Sequence, residues 1–232
     1  MFDITKEKIA SYIDQTKLNP DATIEDMENF VSQARDYQFK TVAIMPSWVP
    51  LASDLLIGSK TSIVSSVGFP LGTCTTSSKV GETVWSIENG LPNIEIDMVM
   101  NISLFKSQRY VEVENDIREV VEAAQGHTTK VIIEVPLLDQ NEIKIASLLA
   151  ANAGVDFIKT STGFRGYPQM RASTAEDIQL IKSAVGDTVK YKIAGGIFSL
   201  EQALEVIDLG VSRIGTIAGI PIVEALEEIR IS

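Results

Sequence analysis

Eight short β-rich runs, each followed by a stretch of helical pattern, constrain this chain more than any other feature. The runs are Tyr12–Thr16, Thr41–Met45, Ser62–Gly68, Ile94–Asn101, Val131–Pro136, Phe157–Ser161, Val189–Gly195 and Arg213–Thr216. The segments between them carry helix end signals. Asp139 with Glu142 has the pattern of a capping box, and Gly154 can close that helix. Ser173 or Thr174 opens the next, which Gly186 ends; Ser199 with Gln202 opens another, which ends at Gly210. Ile143, Ala146, Leu149 and Ala150 fall at helical spacing. Strand–helix alternation with short connections makes successive strands parallel. Eight such units in 232 residues predict an α/β chain folded over 1–232 as a single (β/α)8 TIM barrel. An open doubly wound sheet is the alternative, and no GxGxxG turn follows an early strand to support it.

Side chains alternate across a strand, so the apolar positions that pack on the helices fix where the charges point. In the fourth run Ile94, Ile96 and Met98 share one face, and Glu95 and Asp97 share the other. In the fifth, Val131, Ile133 and Val135 oppose Glu134. In the seventh, Val189, Tyr191 and Ile193 oppose Lys190, Lys192 and Ala194. Asp14 lies opposite Ile13, and Lys159 opposite Ile158. Asp14, Asp97, Glu134, Lys159 and Lys192 are therefore expected to converge inside the barrel, toward the strand ends where such folds carry their sites. Buried charges are costly unless paired. The competing reading is a salt-bridge network serving structure alone.

The formal charge of −11 opposes nonspecific binding to nucleic acid or anionic membrane, both of which need a positive field. One cysteine, Cys74, permits no intrachain disulfide, and one histidine, His127, makes a zinc site an unpromising reading. The first residues hold Asp3, Lys6, Glu7 and Lys8 rather than an apolar leader, and no apolar run reaches bilayer length. We expect a cytoplasmic protein without metal or organic cofactor, acting on a small molecule, with a homodimer as the candidate assembly.

At the charged positions the sequence resembles the deoxyribose-phosphate aldolase family. The matching segments are Ile13-Asp14-Gln15-Thr16, Pro46-Ser47-Trp48-Val49, Gly68-Phe69-Pro70-Leu71-Gly72, Glu95-Ile96-Asp97-Met98-Val99, Lys130-Val131-Ile132-Ile133-Glu134, Phe157-Ile158-Lys159-Thr160-Ser161-Thr162-Gly163-Phe164, Lys192-Ile193-Ala194-Gly195-Gly196 and Arg213-Ile214-Gly215-Thr216. They keep the family's order across nearly the whole chain. The resemblance implies a class I aldolase that cleaves 2-deoxyribose 5-phosphate to acetaldehyde and glyceraldehyde 3-phosphate. It implies Lys159 as the Schiff-base amine, Lys192 as its partner, Asp97 as the proton relay and Asp14 beside that relay. Thr162, Gly163, Gly195, Gly196, Gly215 and Thr216 would surround the substrate and its phosphate.

The chemistry explains the pair of lysines. Only an unprotonated amine attacks a carbonyl, and a free lysine with a pKa near ~10.4 is neutral about once in ~2500 at pH 7. Desolvation and a neighbouring cation lower that pKa, and Lys192 is the cation expected beside Lys159.

The anion-binding positions depart from the family pattern. Phe198 stands where an arginine is common, and Ile217-Ala218 follows Thr216 where the family tends to have a Ser-Ser pair. Arg165 or Arg171, in the unusual segment Arg165–Arg171, is the expected replacement cation; solvated loop residues are the other reading. Two alternatives to the phosphorylated substrate follow. One is a paralogous Schiff-base aldolase for a different aldehyde or keto sugar, phosphorylated or not, and the other is a noncatalytic sugar-binding barrel.

Overall fold

The computed structural model describes residues 4–164 and 171–231, with side chains of the last helix as far as Leu226. The strands are β1 Ile13–Thr16, β2 Thr41–Ile44, β3 Ser62–Val67, β4 Glu95–Val99, β5 Thr129–Ile132, β6 Phe157–Lys159, β7 Lys190–Ala194 and β8 Arg213–Thr216. The helices are α1 Lys6–Ala10, α2 Ile24–Asp36, α3 Val49–Leu56, α4 Thr76–Asn89, α5 Ile102–Lys106, α6 Tyr110–Ala123, α7 Gln140–Asn152, α8 Ala175–Val185, α9 Leu200–Asp208 and α10 Gly219–Ile231. The strands pair in sequence order, all parallel, and β8 closes on β1. This is the (β/α)8 barrel expected from the alternation. Among the described residues, no helix is long and apolar enough to cross a membrane.

The core lies between the barrel and its helices. Ile63, Val67, Ile96, Val131, Ile158, Ile193 and Ile214 are fully buried on the helix-facing side. Each such side chain contributes roughly 1.5–3 kcal/mol by leaving water. The expected capping boxes form at Asp139/Glu142 and Ser199/Gln202, while the third is closed by Thr174 with Asp177.

Strand registers set the depth of the inward residues. Lys159 stands opposite Lys192, Lys192 opposite Arg213, and Asp97 opposite Lys130. The fifth strand differs from the sequence expectation of Val131–Pro136. It starts two residues earlier and ends at Ile132, because Glu134 adopts a left-handed conformation (φ 55°, ψ 58°) leading into a 3-10 turn with Pro136. A non-glycine residue there costs about 1–2 kcal/mol. The cost is offset by fixed partners: the Glu134 carboxylate accepts from Ser161 Oγ at 2.5 Å and from the Thr162 N–H at 3.2 Å. Glu134 thus ties the loop after β6 in place instead of joining the central charges. Lys130 is the inward charge of β5.

Candidate active site

Six buried charges close an alternating ring inside the barrel. Asp97 Oδ1 lies 2.8 Å from Lys130 Nζ, which is 2.6 Å from Glu95 Oε2. Glu95 Oε1 is 2.6 Å from Arg213 Nη2, and Arg213 Nη1 is 2.7 Å from Asp14 Oδ1. Asp14 Oδ2 is 2.6 Å from Lys192 Nζ, which returns to Asp97 Oδ2 at 2.8 Å. Thr41 adds a hydroxyl hydrogen bond to Asp14 Oδ1 at 2.7 Å. The Phe157 ring sits 5.6 Å from both Lys130 Nζ and Arg213 Cζ, a cation–π arrangement at the base of the ring.

Lys159 is a seventh charge outside this closed circuit. Its Nζ donates to Asp97 Oδ2 at 3.0 Å, sharing that oxygen with Lys192. It also lines a cavity of about 850 Å³ at the carboxyl ends of the strands. Asp14, Asp97, Lys130 and Lys192 have no exposed surface, whereas Lys159 retains 3%.

The electrostatics follow from this wiring. Burial alone would raise Asp97, but Lys130, Lys192 and Lys159 overcome it and hold the carboxyl well below the usual range. Asp14 is lowered in the same way: Lys192 and Arg213 outweigh its burial. Burial would lower Lys130, yet Asp97 and Glu95 hold it above the ordinary lysine value. Lys159 goes the other way. Burial and then the Lys192 ammonium push it down to about 8, against the pull of Asp97. At pH 7 roughly one Lys159 in ten is then neutral, against about one in ~2500 for a free lysine.

Two glycines make the arrangement sterically possible. A Cβ on Gly215 would lie 3.2 Å from Lys192 Cε and 3.0 Å from Ala194 Cβ, so glycine leaves room for the lysine stem. Gly195 has φ +78°, and a Cβ there would come within 3.1 Å of Gly163 Cα; the loops after β6 and β7 touch backbone to backbone.

The other expected residues separate into two groups. Thr162, Gly163, Gly195, Gly196, Gly215 and Thr216 line the same cavity as Lys159. Among the described residues, none accepts a hydrogen bond from the Gly196 or Ile197 N–H. Arg171 is placed elsewhere: its guanidinium grips Asp177 through two hydrogen bonds of 2.7 Å, and it is not part of the cavity wall. Arg165 lies outside the described residues. The rim is apolar, with Phe164, Phe198 and Ile217 43%, 47% and 70% exposed.

Sequence reasoning missed three participants. Lys130 was hidden by starting the fifth strand at Val131, although residues 130 and 132 share a face. Arg213 opens β8 with the same parity as Gly215, so alternation could have placed it inward. Lys17 lies one residue beyond β1 and lines the cavity; among the described lysines and arginines it shares that wall only with Lys159.

A lysine held near neutrality, beside a carboxylate and a second ammonium, at the floor of an open cavity, is equipped for carbonyl chemistry through an imine. Comparison with known proteins agrees. Residues 8–222 match the model of the DeoC/LacD family aldolases. The chain is 44% identical over 220 residues to "Deoxyribose-phosphate aldolase 1" of Staphylococcus aureus (strain MRSA252), covering 95% of this chain and 97% of that protein. Among solved structures it is similar to "QR15, an Aldolase", with TM-score 0.88, 38% identity and coverage of 100% and 99%. It is also similar to the tetrameric deoxyribose phosphate aldolase of Aeropyrum pernix, with TM-score 0.87, 29% identity and coverage of 97% and 93%. The chain is an aldolase, a carbon–carbon lyase, and belongs to the DeoC/LacD family.

Proposed function

We propose that the protein reversibly cleaves 2-deoxy-D-ribose 5-phosphate to acetaldehyde and D-glyceraldehyde 3-phosphate through a Schiff base on Lys159. The observation that carries this reading is the position of Lys159, depressed to about 8 and set at the junction of ring and cavity. The neutral amine adds to the C1 aldehyde, and loss of water gives a protonated imine. The C3 hydroxyl then loses its proton, the C2–C3 electron pair moves toward the imine, and glyceraldehyde 3-phosphate departs. The remaining enamine takes a proton at C2, and water releases acetaldehyde and the lysine.

Asp97 Oδ2 touches the Nζ of Lys159 and of Lys192, which suits it to pass protons among amine, carbinolamine and enamine. Lys192 holds Lys159 toward neutrality, and Asp14 fixes Lys192 from the opposite side. For the anionic end we assign the Gly195–Gly196 backbone, Thr162, Gly163, Gly215 and Thr216, with Lys17 as the cation. Backbone N–H groups at positive-φ glycines form anion-binding concavities, and Gly196 has φ +153°. The second reading, an unphosphorylated aldehyde or keto sugar, is favoured by the apolar rim at Phe164, Phe198 and Ile217.

The function is assigned to the whole barrel, 1–232, acting in the cytoplasm without a cofactor. We expect a homodimer, to be checked by light scattering after size exclusion. The test of the reaction is turnover of 2-deoxyribose 5-phosphate beside 2-deoxyribose, with both products quantified. Strong preference for the phosphate ester supports the first reading. Equal or reversed preference moves the substrate to the second, and no turnover of either sugar overturns both.

A further inference from the structure

The ring beneath Lys159 is electrically complete without it. Lys130, Lys192 and Arg213 supply three positive charges; Asp14, Glu95 and Asp97 supply three negative ones. Each carboxylate bridges two cations, and each cation bridges two carboxylates. A protonated Lys159 is therefore one buried positive charge too many, attached to an oxygen already paired with Lys192.

We propose that the lower half of the ring, Lys130, Glu95 and Arg213, is a positioning device that favours the uncharged form of Lys159 by balancing the other charges of the ring beneath it. None of the three lines the Lys159 cavity. They act through Asp97 and Asp14: Lys130 occupies Asp97 Oδ1 and Arg213 occupies Asp14 Oδ1, so Asp97 meets Lys159 through Oδ2, the oxygen it already shares with Lys192. If Lys130 were absent, Asp97 would be one cation short and would hold a protonated Lys159 instead. The other charged groups nearby do not change the count at the ring. Glu134 faces Ser161 and Thr162. The Lys190 side chain lies against the exposed base of β7, 5.5 Å from the Phe157 ring.

The device has a second consequence, which rests on the Schiff-base reading above. Forming the protonated imine restores the surplus charge, and cleavage to the neutral enamine removes it. The same imbalance that deprotonates the amine favours the electron flow that breaks the C2–C3 bond. Both effects arise because a buried charge without a counter-ion is unfavourable.

The test reads Lys159 ionisation without turnover, so it can fail independently of the aldolase reading. Carbamoylation of Lys159 by cyanate is followed across pH 6 to 11 by peptide mass spectrometry. The midpoint in Lys130→Met should rise by about one pH unit or more, and in Glu95→Gln it should fall. The double variant Lys130→Met/Glu95→Gln, which removes one charge of each sign, should return near the wild-type midpoint. Lys130→Arg keeps the charge while changing the shape, and should leave the midpoint in place. Circular dichroism identifies any variant that does not fold; Glu95→Gln and Lys130→Arg then still test the idea in opposite ways. Midpoints that stay fixed in folded charge-removing variants would overturn it. So would a midpoint that shifts as far in Lys130→Arg as in Lys130→Met.

Discussion

The Lys79–Asp116 pair and the ring around Asp97 both bury lysine against carboxylate, yet only one of them faces a cavity. Lys79 on α4 meets Asp116 on α6 at 2.5 Å; the two side chains are 0% and 3% exposed, and Thr76 completes the acid's hydrogen bonding at 2.8 Å. That pair is balanced one to one and does not line the Lys159 cavity. The ring and Lys159 together carry four cations against three carboxylates, and the cation outside the ring opens on the cavity. Buried charge alone therefore does not mark a site, because helix packing produces it too. A counted surplus next to an open cavity does.

Removing each lysine should separate the two regions. Lys159→Met is expected to lower kcat/KM by about 10⁴-fold or more, since among the described residues no other amine lies at the cavity floor. It should also stabilise the protein at pH 7 in urea unfolding. The folded-state pKa of Lys159 lies below the unfolded value, so its penalty is fully present below about 8 and fades as pH rises toward ~10.4. A loss of stability in this variant would break the surplus-charge account. Asp97→Asn should cost about 10²–10⁴-fold in kcat, the usual range for a lost acid–base group.

Lys79→Met tests the other side. It leaves Asp116 buried without its counter-ion and should lower stability by about 3–5 kcal/mol in the same unfolding experiment, while kcat/KM below the transition stays at the wild-type value. A change in turnover without a change in stability would mean that the helix pair is not structural after all.

Smaller effects sharpen the site itself. For the free wild-type enzyme, kcat/KM should rise with pH along a limb centred at about 8, because the reactive form of Lys159 is the deprotonated one. Lys17→Met should raise KM for the phosphorylated sugar by about 10-fold, the scale of one exposed charge-assisted contact, and leave turnover of 2-deoxyribose unaltered. An equal loss with both sugars would remove Lys17 from the anion site.

Much of this was readable from period-two alternation. Asp14, Asp97, Lys159 and Lys192 each neighbour an apolar residue that must face the helices, so their direction followed from Ile13, Ile96, Ile158 and Ile193. Glu134 had the right parity, but its left-handed turn takes the chain out of the ladder, which alternation cannot foresee. Lys130 was missed through a boundary error of two residues, the usual weakness of strand limits read from sequence. Lys17 lies past the strand end, where alternation says nothing. Arg171 stood as a candidate loop cation because its partner, Asp177, lies six residues on inside α8, where it also completes the capping box with Thr174.

The most direct test of the central claim is borohydride trapping with 2-deoxyribose 5-phosphate or acetaldehyde, followed by peptide mapping. The account predicts a reduced adduct on Lys159, absent in Lys159→Met, with Lys130 and Lys192 unlabelled. An adduct on another lysine, or none with either carbonyl, would contradict it.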